Sequence, residues 1–428
     1  MPYWSTVPTQ RIYYGWVIVG VMWLVSLASQ ASATFTFGLF VLPMSNDLGT
    51  SRAAITWLQT ARLVGNGGTS FLLGPLVDRF GPRLLVPIAA AIGGGALIIA
   101  SRVDQVWVLL VLFGVIGAAG VTAPNNVLIN VPVAKWFIRR RGRAVAMVAF
   151  GGAAGGSIFA VVHALMIGSL GWRGTFLASG IIMIALAVPL PLLLLRRTPE
   201  DIGLLPDGDA PRNEGEALAT PAEEVWTAKQ ALRTPTLWKI LVAYMLTSFA
   251  TGAFVVHRPA YWSELGFSDG LIAAVFAVDS ATFAVVALAT GVLLERIPAR
   301  LVGVAAMGTH GLAIVLSLTV VSEPAIFLTG IMIGAGAGAN TVVQNTIWAQ
   351  YYGRTFLGRI RGIVLPAAML GLGLGAPTAA MLYGVYGSYR PSFWGQAALL
   401  VIAATLIGFA KPPRHQTHPA NQAERTVP

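Results

Sequence analysis

Two residues of opposite charge lie inside long apolar segments at matching positions. Arg62 lies ten residues after the polar start of its segment, and Asp279 lies ten residues after the start of its own. The two residues are 217 positions apart. At about 1.5 Å per helical residue, each would lie roughly 15 Å into its segment. A charge at that depth in a membrane costs several kcal/mol unless it is paired or faces water.

These two residue types predict a specific chemistry. A guanidinium binds a carboxylate through two parallel hydrogen bonds, and a carboxyl group in a dehydrated site can take up a proton near neutral pH. We therefore expect Arg62 to bind an anionic substrate and Asp279 to take up a coupling proton. Two structural alternatives stay open: the side chains neutralise each other, or each has a different partner.

Other polar side chains also occur in apolar segments. Arg258 either extends its charge to the membrane surface or captures an anion. Its neighbour His257 either lines a site and relays protons or packs against a backbone carbonyl. Amides that face lipid are unfavourable, so those of the fourth and tenth segments should face a cavity or other helices. These amides are Asn125, Asn126, Asn130, Asn340, Gln344 and Asn345.

The composition requires a membrane to position these residues. Hydrophobic residues make up 56% of the 428 residues and charged residues 11%, whereas soluble domains carry about 25% charged residues. Lipid offers no partners to backbone groups, so the apolar segments must be helices. The sequence predicts an all-α polytopic membrane protein with twelve spans: 13–42, 52–77, 84–101, 105–134, 144–169, 174–195, 237–262, 269–294, 301–321, 324–350, 362–386 and 391–410.

The net charge of +11 has an asymmetric distribution. Close to the span ends, fourteen Lys and Arg residues fall on one side of the membrane and five on the other. The positive-inside rule assigns the basic side and both termini to the cytoplasm, so the charge argues for topology and against nucleic-acid binding. We expect a multi-pass protein of the inner (plasma) membrane, whose first span is itself the insertion signal. Cysteine is absent, which excludes disulfides and thiol chemistry.

The chain contains an internal repeat. GPLVDRFGPR at 74–83 recurs as GVLLERIPAR at 291–300, a shift of 217, and two asparagines of the fourth span recur in the tenth at a shift of 215. Residues 198–236 form a long polar stretch between the copies. We therefore predict an N-terminal bundle of six spans, a cytoplasmic linker, a C-terminal bundle of six spans and a tail: 1–197, 198–236, 237–411 and 412–428.

The repeated decamer predicts a gate. Asp78 lies at a helix end, where it can pair with arginines of a neighbouring cytoplasmic loop such as Arg139 or Arg140. Such a pair would hold the cytoplasmic side closed and break on opening. The alternative is that the arginines only obey the positive-inside rule. The gating set is Asp78, Arg79, Arg83, Arg139, Arg140, Glu295, Arg296 and Arg300.

With these motifs the chain resembles the major facilitator superfamily, in the branch of monocarboxylate transporters and oxalate:formate antiporters. The parallel six-span repeats are the layout of that superfamily. Further matching segments are YYGWVIV at 13–19, FGLFVLPMSNDLG at 37–49, AKWFIRRRGRAVAMVAFGGAAGG at 134–156, FVVHRPAYWSELGFS at 254–268 and YYGRTFLGRIRG at 351–362.

The resemblance adds site residues to those that the spacing suggests. It implies that Asn126, Thr34 and Phe37 line the substrate site, that HRPAY carries the family histidine at His257, and that Asp279 matches an acid on the eighth helix. The chain departs from the family because 280–290 contains no cation and the eleventh span contains no Lys, Arg or His. The candidate substrate-binding residues are Arg62, Asn126, His257, Arg258, Asn345, Gln344, Thr34 and Phe37, and the candidate proton-coupling residues are Asp279 and His257.

The resemblance implies alternating-access transport of a small organic anion, in particular a monocarboxylate, with a proton or in exchange. The altered cations keep open a non-carboxylate solute: a vitamin, an aromatic compound or a drug. The sequence contains no nucleotide-binding loop, metal cluster or positioned nucleophile. We therefore expect no enzyme, no cofactor and no metal, and a monomer whose partners are the anion, protons and lipid.

Overall fold

The computed structural model describes residues 13–32, 36–120, 127–208, 226–319 and 322–413. Regular structure in these ranges consists of helices only. The N-terminal half contains eight of them: α1 Tyr14–Ser29, α2 Gly38–Asp47, α3 Arg52–Phe80, α4 Pro82–Ala100, α5 Val106–Ala118, α6 Val127–Trp136, α7 Arg141–Ala187 and α8 Pro189–Leu194. After α9, Ala228–Leu232, the C-terminal half contains six: α10 Pro235–Glu264, α11 Asp269–Leu293, α12 Ala299–Leu318, α13 Glu323–Tyr352, α14 Leu357–Tyr386 and α15 Arg390–Gly408.

The helices make twelve membrane crossings, as the hydropathy predicts. Nine helices of the described part are long and apolar enough to cross a bilayer. One of these, the 54-residue stretch Arg141–Leu194, supplies a second crossing because the backbone leaves the helical conformation at Gly171, where φ is 67°. The polar α3 and the pair α5 and α6 supply the remaining two.

The first and fourth crossings differ from the continuous spans that the sequence predicts. α1 is followed by a 3-10 turn, Gln30–Ser32, before α2 begins at Gly38. α5 ends at Ala118, two residues before Gly120, whose φ of 75° is unfavourable for residues with a side chain. Interrupted helices expose backbone carbonyls that a continuous helix would use internally. The N-terminal bundle therefore offers backbone acceptors within the membrane.

The internal repeat is visible in helix packing. A Cβ atom built on Gly117 would lie 1.9 Å from the carbonyl oxygen of Arg62, and one built on Gly334 would lie 2.2 Å from that of Asp279. Gly117 and Gly334 are separated by the same shift in sequence as the two charged residues. In each bundle, therefore, a glycine of the fourth crossing lets the helix with the buried charge approach closely.

The two bundles meet at the end formed by residues 78–83, 135–143, 295–300 and 354–361, here called the basic end. A Cβ on Gly74 of α3 would lie 2.1 Å from the carbonyl oxygen of Gly358 in α14. The symmetry-related contact joins Gly142 of α7 to Gly291 of α11, at 2.3 Å. The contact between α3 and α14 continues past Gly74, since a Cβ on Gly67 would lie 3.7 Å from the Cβ atom of Met369.

Gly117→Ala and Gly334→Ala should each destabilise the protein, because the added methyl group would force α3 from α5 or α11 from α13. Overpacking of this kind typically costs about 1–3 kcal/mol. The matched control is Gly308→Ala in α12, where a Cβ has open space and alanine favours the helix by about 1 kcal/mol. Thermal unfolding in detergent should show lower midpoints for the first two variants only. Equal midpoints for all three would contradict the close approach.

Candidate functional site

Asp78 is the centre of the contact between the bundles at the basic end. Its carboxylate is 2.7 Å from the Nζ atom of Lys135 and accepts hydrogen bonds from the backbone N–H groups of Gly358 and Arg359, at 3.2 and 2.9 Å. These amides belong to the first turn of α14, where a negative charge is favourable. The N-terminal bundle thus binds the helix start of the other bundle through one carboxylate.

The predicted partners of Asp78, Arg139 and Arg140, are wrong. Lys135 lies in the last turn of α6 and pairs with Asp78 with only 5% of its side chain exposed. The side chains of Arg139 and Arg140 are exposed. The segment that carries them turns its backbone N–H groups towards Asp207 of the linker. A lysine in the last turn of a helix therefore supplies the charge that was expected from the loop.

Glu295 makes the symmetry-related contact. Its carboxylate is 2.7 Å from the Nε atom of Arg143, at the start of α7. Arg83 donates a hydrogen bond to the carbonyl of Leu192 within its own bundle, at 2.8 Å. Of the other predicted gating arginines, Arg79 and Arg296 are exposed and Arg300 is half-buried. The two acids therefore contact the other bundle, and for Arg79 and Arg296 the positive-inside rule stays an open alternative.

Arg62 is buried in the N-terminal bundle, with 4% of its surface exposed. Its guanidinium donates to the carbonyl oxygen of Ser32 at 3.0 Å and to the hydroxyl oxygen of Ser32 at 2.6 Å. Ser32 ends the 3-10 turn that interrupts the first crossing. The interruption therefore supplies neutral acceptors to a charged group at the predicted depth.

Asp279 has a cationic partner in its own bundle. Its carboxylate is 2.5 Å from an Nη atom of Arg258, and the side chains are 14% and 2% exposed. The surface alternative for Arg258 is wrong, because its guanidinium points into the bundle. Arg62 and Asp279 thus have different partners, which is one of the structural alternatives for this pair.

Aromatic rings surround the Arg258 guanidinium. Its Cζ atom is 4.1 Å from the ring centre of Phe276 and 5.5 Å from that of Trp262, distances at which a cation is attracted to a ring face. A cavity of about 420 Å³ borders Phe276 between α10 and α11. It is lined by Pro259, Ala260, Ser263, Ile272, Ala273 and Phe276. The buried ion pair is therefore close to a mainly apolar cleft.

The other predicted site residues have local partners. The Nε2 atom of His257 donates to the carbonyl oxygen of Ala376, 2.9 Å away, which is the backbone contact foreseen as an alternative. Phe37 is buried against Phe113, with ring centres 5.4 Å apart. Thr34 and Asn126 lie outside the described residues.

Gln344 and Asn345 lie side by side in α13, both largely buried, at 9% and 2% exposure. The Oδ1 atom of Asn345 accepts a hydrogen bond of 2.5 Å from Arg361. Its Nδ2 atom donates to the carbonyl oxygen of Thr341 in the preceding turn. Both amides therefore face protein and not lipid, as their polarity predicts.

A family model described as Major Facilitator Superfamily matches residues 22–317 and 259–428. The chain belongs to this superfamily. Its all-α architecture of two six-helix bundles is the major facilitator fold, and it is a multi-pass membrane transporter of small solutes.

Curated proteins with low sequence identity to this chain are also transporters. The gallate transporter of Pseudomonas putida is 26% identical over 91% of this chain and 92% of its own. The oxalate:formate antiporter of Oxalobacter formigenes is 26% identical over 56% and 53%. The match to the transporter YcxA of Bacillus subtilis, 24% identical, covers 38% of this facilitator and 40% of that protein. Monocarboxylate transporters are also relatives, so the predicted superfamily is confirmed and proteins of the predicted branch are among the relatives.

Solved structures give the same fold. The human organic anion transporter MFSD10 superposes with a TM-score of 0.69 at 14% identity, covering 92% of this chain and 99% of its own. The fucose:proton symporter FucP of E. coli superposes with a TM-score of 0.70 at 12% identity, covering 94% and 100%. Structural similarity at sequence identities this low shows the shared fold and does not show which substrate is transported.

Arg361 is a buried cation of this facilitator that lies just outside the predicted eleventh span, 362–386. The apolar run of the eleventh crossing begins at residue 362, but α14 begins at Leu357. Arg361 therefore lies inside the helix and is 2% exposed. The apolar residues Leu357, Ile360 and Val364 continue the helical period through the arginine. That periodicity could have placed Arg361 in the helix.

Asp279→Asn should lower the stability of the facilitator because it leaves the Arg258 guanidinium buried without its counter-charge. Breaking a buried pair from one side typically costs about 3–5 kcal/mol. The double variant Arg258→Met, Asp279→Met should recover part of this loss. Thermal unfolding of Arg258→Met, Asp279→Met and the double variant measures the coupling. Additive effects would show that the two side chains do not interact.

Proposed function

We propose that the protein is a secondary transporter that moves a small organic anion with a carboxylate group across the inner membrane by alternating access. The observation that carries this proposal is the Arg258–Asp279 pair, whose acid occupies the position equivalent to the buried Arg62 of the other bundle. Each bundle therefore holds a buried guanidinium. By their names, the gallate and oxalate:formate relatives transport carboxylates.

In this mechanism the ion pair couples the proton to the anion. While Asp279 is ionised it occupies the Arg258 guanidinium, which then has little attraction for a second carboxylate. A proton on Asp279 removes that attraction and leaves a buried cation in need of a counter-charge. The substrate carboxylate supplies the charge and binds the guanidinium in place of Asp279. Proton and anion consequently bind together and leave together.

Arg62 gives the substrate a contact in the other bundle. Its partner Ser32 offers neutral oxygens, so a carboxylate that replaces Ser32 exchanges a neutral acceptor for a charged one. An anion that contacts Arg62 would bind the N-terminal bundle, while the coupling proton remains on Asp279 of the C-terminal bundle. The bundles would then close more readily around a site that holds both the anion and the proton than around a site whose charges are unpaired.

The direction of opening follows from the contacts at the basic end. Asp78 and Glu295 join the bundles there, and Gly74 and Gly142 let helices of the two bundles approach closely. The positive-inside rule assigns the basic end to the cytoplasm. We infer that this conformation is closed to the cytoplasm, and that the six-span bundles rock against each other during transport.

A non-carboxylate aromatic solute is the second candidate. The cleft between α10 and α11 is lined mainly by apolar side chains, and Phe276 would stack on a planar ring. In that case Arg258 and Asp279 would remain paired throughout the cycle. A neutral ligand would then bind with the same affinity whether or not Asp279 carries a charge.

In proteoliposomes, Asp279→Asn should abolish uphill, proton-driven uptake but leave exchange of substrate for substrate. Exchange requires the loaded carrier to reorient, and it involves no net proton transfer. The matched control is Asp104→Asn, the same chemical change at a carboxylate with 82% of its side chain exposed, which should behave as wild type. Uphill uptake that survives in Asp279→Asn would show that this acid does not couple the proton.

Arg62→Ala should weaken carboxylate binding by at least about tenfold, since removing one partner of a buried charged contact typically costs about 2–5 kcal/mol. A thermal-shift screen of aliphatic acids, aromatic acids and neutral heterocycles measures the effect on wild type and variant. Arg62→Lys keeps the charge without the bidentate geometry and should fall between the two. Stabilisation by neutral heterocycles, equal in wild type and Arg62→Ala, would favour the second candidate.

A further inference from the structure

The described start of the linker, residues 198–208, binds tightly to the N-terminal bundle. The carboxylate of Asp207 accepts hydrogen bonds from three successive backbone N–H groups of the segment before α7. They belong to Ile138 at 3.0 Å, Arg139 at 2.8 Å and Arg140 at 3.1 Å. Amides before a helix start lack acceptors within the helix. One linker carboxylate therefore satisfies all three.

Asp207 adopts an unfavourable backbone conformation to make these contacts. Its φ is 61°, and among the described residues it is the one non-glycine residue with a positive φ. Such a conformation costs an L-residue about 1–2 kcal/mol, so the surrounding contacts must outweigh it. Asp207 is also 6% exposed. The linker is thus held at a defined place on the N-terminal bundle.

The same part of the linker reaches the C-terminal bundle through Glu200. Its carboxylate is 2.5 Å from the Arg354 guanidinium, which lies between α13 and α14. The other Nη atom of Arg354 donates to the carbonyl oxygen of Lys135 at 2.9 Å. Lys135 in turn pairs with Asp78. One arginine of the C-terminal bundle therefore contacts both the linker and the N-terminal bundle.

We propose that Asp207 and Glu200 form a linker clamp that holds the basic end closed. Asp207 positions the linker on the N-terminal bundle, and Glu200, so positioned, binds Arg354 of the other bundle. The inference rests on the proposed alternating access. When the bundles separate at the basic end, the contacts of Asp207 persist because they lie within one bundle. The Glu200–Arg354 ion pair breaks, because its two ends move apart.

Asp201 provides a matched control next to Glu200. Its carboxylate lies 3.6 Å from Arg197 and accepts a hydrogen bond from the backbone of Thr198, both in the same part of the chain. Asp201→Asn removes the same charge from the same 3-10 turn without touching the C-terminal bundle. A general effect of linker charge would appear in both variants, whereas the clamp predicts an effect of Glu200→Gln alone.

The distance between labels at the basic end tests the clamp. The chain contains no cysteine, so Leu84→Cys and Leu301→Cys accept spin labels without background. These leucines are each 51% exposed and occupy equivalent positions at the starts of α4 and α12. Pulsed electron–electron double resonance then measures the distribution of distances between the two labels, which gives the populations with the basic end closed and open. Thermal unfolding checks that each variant is folded.

We expect Glu200→Gln to raise the ratio of open to closed populations about tenfold, the effect of losing one charged hydrogen bond. Arg354→Gln should give at least this shift, because it also removes the hydrogen bond to the carbonyl oxygen of Lys135, and the double variant should add little to Arg354→Gln. Asp207→Asn, which weakens the positioning, should give a smaller shift in the same direction. Asp201→Asn should match the labelled wild type.

Two outcomes separate the clamp from the transport mechanism. Populations that are unchanged in Glu200→Gln, or shifted equally by Asp201→Asn, would overturn the clamp, while a wild-type distribution that responds to acid and pH would leave the mechanism intact. A wild-type distance that stays single at every pH and with every acid tested would contradict alternating access. If Asp207→Asn fails to fold, Glu200→Gln and Arg354→Gln still decide the result.

Discussion

A charged side chain inside a bilayer costs several kcal/mol unless a partner or water compensates it, and this constraint determines the interior of both bundles. Two of the buried arginines, Arg62 and Arg258, have partners of different kinds. Arg62 has the exposed acceptors of an interrupted helix, and Arg258 has a carboxylate and aromatic rings. A carboxylate can take up a proton, whereas a backbone carbonyl cannot. The bundles are therefore alike in how a glycine packs against the helix with the buried charge, and unlike in the partner of that charge.

The backbone likeness depends on glycine. Gly117 and Gly334 bring the helices that carry Arg62 and Asp279 against the fourth crossing of each bundle. At the basic end, Gly74 with Gly358 and Gly142 with Gly291 bring one bundle against the other. Close approach within a bundle holds the helices of Arg62 and Asp279 in place. Close approach between bundles stabilises the conformation that we infer to be closed to the cytoplasm. Glycines of the repeated sequence thus serve two purposes. Some pack helices closely within each bundle, and others pack one bundle against the other at the basic end.

Features of the fold that depend on periodicity and hydropathy were predictable from the sequence. Twelve crossings, the repeat and the equivalence of Arg62 and Asp279 follow from apolar runs and a constant shift between the two halves. Partner choice was not predictable, because it depends on tertiary geometry. Asp78 pairs with Lys135 of the neighbouring helix end and not with the adjacent loop. Arg361 was missed because hydropathy marks the edge of an apolar run, whereas α14 begins before that edge.

The ion pairs of this chain belong to two classes with different effects on motion. Arg258 and Asp279 lie in one bundle, so rocking leaves them together and only a change of charge separates them. Glu200 and Arg354 lie on opposite sides of the bundle interface, so rocking itself separates them. In the proposed mechanism the first class senses what is bound, and the second opposes opening whatever is bound. A carrier needs both: a closed state that is too stable would slow the cycle, and one without a ligand-dependent pair would leak protons.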